Sequence, residues 1–165
     1  MRMHSTKEPF GSDLLGSRRR TIARASLYLG AVSVLATGVD HIQQYYSADY
    51  SSVPTIGTLF FLNFVSAVIV AVGLVAPLGR LAGRYADAVR SAFAVAGIGM
   101  AVLSLAALFV SESSGLFGFV EHGYRTAITL AIVAEAAATV FLVIFLVAQG
   151  TGLQALRGRS ASHAT

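Results

Sequence analysis

The chain has 165 residues, enough for one domain, but 55% of them are hydrophobic, only 12% are charged and the mean hydropathy is +0.70. An ordinary water-soluble domain carries about 25% charged residues, so this composition excludes a globule whose surface faces water and leaves lipid as the natural solvent. The net charge of +4 resembles that of a nucleic-acid binder, but the positions of the basic residues assign them another task, and no nucleic-acid partner is expected.

The chain has no cysteine. Disulfides, thiolate metal sites, cysteine-ligated clusters and a cysteine nucleophile are therefore excluded. Tryptophan is also absent, so Tyr and Phe must supply any interfacial aromatic belt.

Residues 1–23 are polar and mixed, with Pro9, Gly11 and Gly16, and carry Arg18-Arg19-Arg20 near their end. They read as a flexible cytoplasmic tail. A transmembrane domain over 24–148 follows, with four apolar spans at about 25–44, 55–77, 91–110 and 124–148. Roughly 20 residues at 1.5 Å each cross a hydrocarbon core of ~30 Å. Residues 149–165 form a second polar tail.

A lone segment in lipid satisfies its backbone only as a helix, and these runs lack the period-two alternation of a barrel strand. The expected fold is all-α, an integral membrane antiparallel four-helix bundle, because short connections make sequential helices neighbours. Pro77 fits a helix end. Ser26 with Gly30, and Ala67 with Ala71, give small-residue steps for close packing. Gly97 and Gly99 either loosen the third helix or allow a close crossing.

Eleven of the 12 Lys and Arg residues fall in the N-terminal segment up to Arg24, in the loop holding Arg80, Arg84 and Arg90, or in the C-terminal tail; only Arg125 lies elsewhere. The positive-inside rule places these three segments, and so both termini, in the cytoplasm. An even number of spans agrees. A signal peptide is the other reading of the first span, since an arginine run before an apolar stretch resembles a twin-arginine signal. However, no small-x-small cleavage site ends the run, and three more spans follow.

Within the spans, Glu135 stands ~15 Å along the fourth helix from Arg125 by helical rise, near mid-membrane. A charge there is costly, so the side chain should face the bundle. Ala127, Ala131, Ala134 and Ala138 share its face at helical offsets, whereas Leu130, Val133, Val140 and Ile144 fall elsewhere. Asn63, Ser104 and Thr37 reach similar depths on the other helices. The four form either a proton or cation site or the hydrogen bonds that glue helices together.

A doubled acid–histidine pair, Asp40-His41 and Glu121-His122, lies at the outer boundary. Histidine with carboxylate suits zinc, copper or non-haem iron, and two such helices can offer axial ligands to a haem. The alternative is that both pairs are solvated interface residues. No cofactor is expected on the leading reading; haem or a divalent metal belongs to the alternative. There is no phosphate-binding loop, dinucleotide fingerprint or hydrolase triad.

The stretch Tyr50-Ser51-Ser52-Val53-Pro54-Thr55-Ile56-Gly57-Thr58-Leu59-Phe60-Phe61-Leu62-Asn63, the later Gly115-Leu116-Phe117-Gly118-Phe119, and Glu135 in the last span resemble a group of small four-span membrane proteins of unknown activity common in actinobacteria. The resemblance covers residues 27–147 and implies a bacterial plasma membrane and no catalysis.

The leading expectation is thus a non-enzymatic structural or accessory membrane protein. Its partners are the lipid bilayer and a second copy or a larger membrane complex. The alternatives are a small proton-coupled transporter using Glu135 and a haem- or metal-binding redox protein using His41 and His122. The topology has a direct test: a fluorescent reporter fused after Thr165 is expected to be active, and a periplasm-dependent phosphatase at the same position inactive. The opposite pattern inverts the orientation.

Overall fold

A helix pairs the backbone of a single apolar segment with no outside partner, and helix dominates the fold. The computed structural model describes residues 10–48, 50–53, 55–115, 117 and 126–162. In chain order these form α1 (Phe10–Ser47), a 3₁₀ turn (Tyr50–Ser52), α2 (Ile56–Val75), a short α3 (Leu78–Leu81), a second 3₁₀ turn (Gly83–Tyr85), α4 (Ala86–Ser113) and α5 (Thr126–Ser162). Among the described residues there is no strand.

Four segments are long and apolar enough to cross a membrane: Leu14–Ser47, Ile56–Val75, Gly83–Ser113 and Thr126–Gly150. Their outward faces are apolar too. Leu29, Val32, Ile69, Val72, Val133 and Val140 are all exposed, as lipid-facing residues are.

The helices outrun the apolar stretches. α1 starts at Phe10 and passes through the arginine run, and α5 continues past Gln149 to Ser162. Arginine loses little rotamer freedom in a helix, so a change of solvent at residue 24 does not require a change of backbone. α2 stops at Val75, just before Pro77, whose ring cannot continue the helix.

The spans pack as a ring. α1 lies against α2 and α5, α4 lies against the same two, and α1 and α4 sit across the diagonal. Between apolar helices in lipid there is no hydrophobic drive to associate, so contact itself must hold them, and small residues bring the backbones close. A Cβ at Gly38 of α1 would lie 2.5 Å from the Ala67 Cβ of α2, and one at Gly73 of α2 would lie 2.5 Å from the Phe93 ring of α4. Gly97 of α4 is the central case. A Cβ there would meet Leu142 of α5 at 2.8 Å, Val70 of α2 at 3.2 Å and Val34 of α1 at 3.4 Å. One residue from each other span converges on this glycine. Gly99, by contrast, has open space beside it.

Polar contacts close the end of the bundle near Arg90. Arg90 donates from Nε to the Leu74 carbonyl at 3.3 Å and from an Nη to the Ala76 carbonyl at 3.2 Å. It thus caps the C-terminus of α2 and places positive charge at the negative end of that helix. The Ser91 hydroxyl donates to Gln149 Oε1 at 2.9 Å, tying α4 to α5.

Gly38→Val forces bulk against Ala67, a side chain with no freedom to move. It is expected to lower stability by about 1–3 kcal/mol in reversible unfolding from mixed detergent micelles. Gly99→Ala has nothing to displace and should be neutral or slightly stabilising. Equal losses in both variants would contradict the packing described here.

Candidate functional site

Buried residues recur on α1 at Leu27, Ala31, Val34, Gly38 and His41, and on α5 at Ile128, Ala131, Glu135, Ala138, Leu142 and Phe145. These are offsets of three and four residues, one face of a helix. His41 and Glu135 therefore occupy the inward stripes of their helices and are only 8% and 2% exposed. The alanine face drawn from the sequence is the one that turns inward: Ala131 and Ala138 are buried, Ala127 and Ala134 half-buried, and Leu130, Val133, Val140 and Ile144 exposed.

The burial of His41 departs from the solvated-interface reading of Asp40-His41. The ring continues the apolar stripe of α1 and so turns into the bundle, where two hydrogen bonds hold it. Its Nδ1 lies 2.9 Å from the Thr37 carbonyl. A carbonyl oxygen only accepts, so Nδ1 carries the hydrogen. Its Nε2 lies 3.2 Å from the Ser104 hydroxyl of α4. In the neutral ring Nε2 is an acceptor, and Ser104 donates to it. Asp40, half-buried, turns along its own helix and accepts from Gln44 Nε2 at 2.7 Å.

The polar layer thus differs in membership from the one expected. Ser104 lies against the carboxyl of Glu135 as well as against His41, linking α1, α4 and α5. The Thr37 hydroxyl takes no part in the link, because it donates back to the Ser33 carbonyl at 3.2 Å; Thr37 contributes its main-chain oxygen instead. Asn63 of α2 faces the same space. Two buried acceptors, Asn63 Oδ1 and Glu135 Oε1, have no hydrogen-bond partner among the described residues.

Both line a cavity of about 330 Å³ enclosed by all four spans and by Tyr50. Its walls are chiefly apolar, with Leu59, Leu62, Met100, Leu103 and Ile128 among them. Leu59, Leu62 and Ser66 of α2 and Leu103 of α4 are exposed as well as lining it, so the cavity opens between α2 and α4 on the outward side. Gln44, Ser66 and Ser111 also line it and were not singled out from the sequence. Gln44 was within reach of that reading, since it falls three residues beyond His41 on the same stripe.

The turn at Tyr50 closes one end. Tyr50 is buried and stacks on Phe60 at 4.6 Å between ring centroids, and Phe60 lies 4.8 Å from the His41 ring. Glycine at 57 makes this possible, because a Cβ there would lie 2.5 Å from the Tyr50 carbonyl oxygen. Thr55, just before α2, sits at φ 68°, a left-handed conformation that a β-branched residue adopts only under tertiary constraint.

Among the described residues no three His, Cys, Asp or Glu side chains gather as a metal site would require. Glu121 and His122 lie outside the described residues, so of the two acid–histidine pairs only Asp40-His41 is placed. What the site offers chemically is a pair of acceptors aimed into an apolar space, backed by a hydroxyl and an imidazole. It can hold the donor end of a molecule whose body is apolar. No protein-family model matches the chain, and neither does any curated protein or solved structure.

Ser104→Ala removes the hydroxyl shared by His41 and Glu135. It is expected to destabilise the bundle by about 0.6–1.7 kcal/mol, the range of interhelical hydrogen bonds in lipid, measured by the same unfolding assay. Ser66→Ala, on the rim of the same cavity, should change stability by only a few tenths of that range. A silent Ser104→Ala would show that the three-helix link holds nothing together.

Proposed function

We propose that this chain is a non-enzymatic multi-pass protein of a bacterial plasma membrane, and that its intramembrane cavity binds a small amphipathic molecule by a hydrogen-bond-donating end. On this reading sequential spans run antiparallel and both termini lie in the cytoplasm. The distribution of Lys and Arg supports that orientation. So do the contact pairs Val70 with Gly97 and Gly73 with Phe93, which advance along α2 while they retreat along α4. The cavity then lies in the outer half of the bilayer, facing lipid between α2 and α4.

One observation carries the ligand reading: two buried acceptors without partners, Asn63 Oδ1 and Glu135 Oε1, share one apolar cavity. Buried polar atoms in folded proteins are nearly always paired. An acidic side chain inside a span is costly, by about 3 kcal/mol for Asp on insertion scales, and such residues mark functional paths. The cavity of about 330 Å³ falls within the ~300–1,000 Å³ of small-molecule sites, which are likewise mostly apolar with a few convergent polar groups. A bundle needing only glue between its helices would pair these acceptors with donors of its own, such as a neighbouring hydroxyl.

The test is to purify the protein in mild detergent, extract it with organic solvent and identify released molecules by mass spectrometry. The wild type should yield one species near equimolar amounts. The double variant Asn63→Leu/Glu135→Leu should retain at least ~10-fold less, since two hydrogen bonds of about 1 kcal/mol each are removed. Matching extracts from both proteins would rule out the ligand reading and leave a structural role.

A further inference from the structure

Resting on that ligand reading, we infer that the occupant of the cavity is a neutral lipophile with a single hydroxyl, an alcohol with an aliphatic body. It enters from the acyl chains between α2 and α4 and sets its hydroxyl between Asn63 and Glu135.

Depth is the first reason. Asn63 lies seven residues into α2 from Ile56, and Glu135 nine residues into α5 from Thr126. At ~1.5 Å per residue they stand ~10 Å and ~14 Å from those helix ends. Half of a ~30 Å hydrocarbon core is ~15 Å, so both groups lie among acyl chains and below the headgroups. Carrying an ammonium or a phosphate to that depth is costly, whereas a hydroxyl on an apolar body gives up far less hydration. The mouth of the cavity also faces lipid, since Leu59, Leu62 and Leu103 are exposed as well as lining it. A molecule already dissolved in the acyl chains reaches it without crossing water.

The second reason is how little polar capacity the walls have left. His41 Nε2 and the Ser104 hydroxyl bond to each other, and His41 Nδ1 is committed to the Thr37 carbonyl. Gln44 donates to Asp40, Tyr50 and Ser111 are engaged elsewhere, and Ser66 is exposed at the rim. Asn63 Oδ1 and Glu135 Oε1 remain, both buried and without a hydrogen-bond partner among the described residues, and Glu135 is only 2% exposed. A larger polar head, such as a sugar or a phosphodiester, would lose hydrogen bonds that nothing in these walls restores.

A hydroxyl fits these two atoms better than an ammonium does. It donates one hydrogen and also accepts, whereas an ammonium only donates. No Lys or Arg of the described residues lines the cavity, and inside lipid a carboxyl without a cation costs least as the neutral acid. With the acid hydrogen on Oε1, the alcohol oxygen accepts from Glu135 and the alcohol hydrogen goes to Asn63 Oδ1, so one group completes both. With Glu135 as a carboxylate, the same hydroxyl donates to Oε1. An ether of the same shape only accepts and leaves Asn63 Oδ1 unpaired. Sites built to pair with a hydroxyl reject such analogues for that reason.

Asn63 is the only asparagine in the chain, so an isotope label in the asparagine side-chain carbonyl reports on the site through one magnetic-resonance signal. The full chain in lipid nanodiscs is titrated with three probes at equal mole fractions in the lipid: octanol, its isomer heptyl methyl ether, which cannot donate, and octylamine, a cation at neutral pH. The signal should shift saturably with octanol. Half-saturation should need at least ~10-fold more ether or amine, the worth of about one hydrogen bond. Octanol should bind Glu135→Leu at least ~10-fold more weakly as well. Octylamine binding as tightly as octanol overturns the neutral hydroxyl and leaves the donor-end reading standing. The ether binding as tightly as octanol removes the need for a donor and overturns both, as does the absence of a saturable shift with octanol and octylamine alike. The three probes are compared on the wild type, so the decision does not depend on how the variant folds.

Discussion

The close approach of four helices at one glycine organises the rest of the bundle. Gly97 receives Val34, Val70 and Leu142, one side chain from each other span, at a point where an added Cβ would require the Leu142 side chain to shift. In lipid such contact stands in for the hydrophobic effect, because an apolar face gains nothing by leaving acyl chains for another apolar face. Gly30, Gly38 and Gly73 make further contacts of the same kind. The pairing of α2 with α4 depends on Gly73 and Gly97, and Arg90 locks it by capping the end of α2.

The cavity follows from that uneven distribution. Beyond Val70 and Gly97, α2 and α4 contribute Leu59, Leu62, Asn63, Ser66, Leu103, Ser104 and Leu108 to the walls of the cavity. The close approaches of α2 to α4 at Gly73 and Gly97 lie at one end of the pair, and the cavity lies at the other. The space between them is topped by Tyr50, which rests on Phe60 because residue 57 has no side chain to keep it away.

Polar groups placed in that space are constrained more tightly than they would be in water. Each must find its partner within the protein, and the available partners sit on different helices. Ser104 bonds to His41 of α1 and lies beside Glu135 of α5 with one hydroxyl. The same scarcity leaves Glu135 Oε1 and Asn63 Oδ1 unmatched. Structural economy and ligand chemistry therefore meet in the same few atoms: a layer that links three helices also presents acceptors to whatever occupies the cavity.

Helix number and approximate span limits were legible in the sequence, because transfer into lipid is a sum over contiguous residues and each apolar run carries its own signal. The inward orientation of Glu135 was legible for a related reason: its alanine neighbours at helical offsets mark the face on which helices can approach. The true helix ends were not, since Arg18-Arg19-Arg20 changes the solvent without breaking the helix. Nor was the partnership of the polar residues. Thr37 and Ser104 lie at similar depth, yet the Thr37 hydroxyl bonds to its own helix, while His41, one turn further on, takes the bond to α4. That choice depends on side-chain direction and on the distance between α1 and α4, which the packing at Gly97 sets. The same packing crowds Gly97 and leaves Gly99, two residues away, with open space. Local hydropathy and periodicity reach only as far as one helix, so only the tertiary structure decided which residues meet across the bundle and where it stays open.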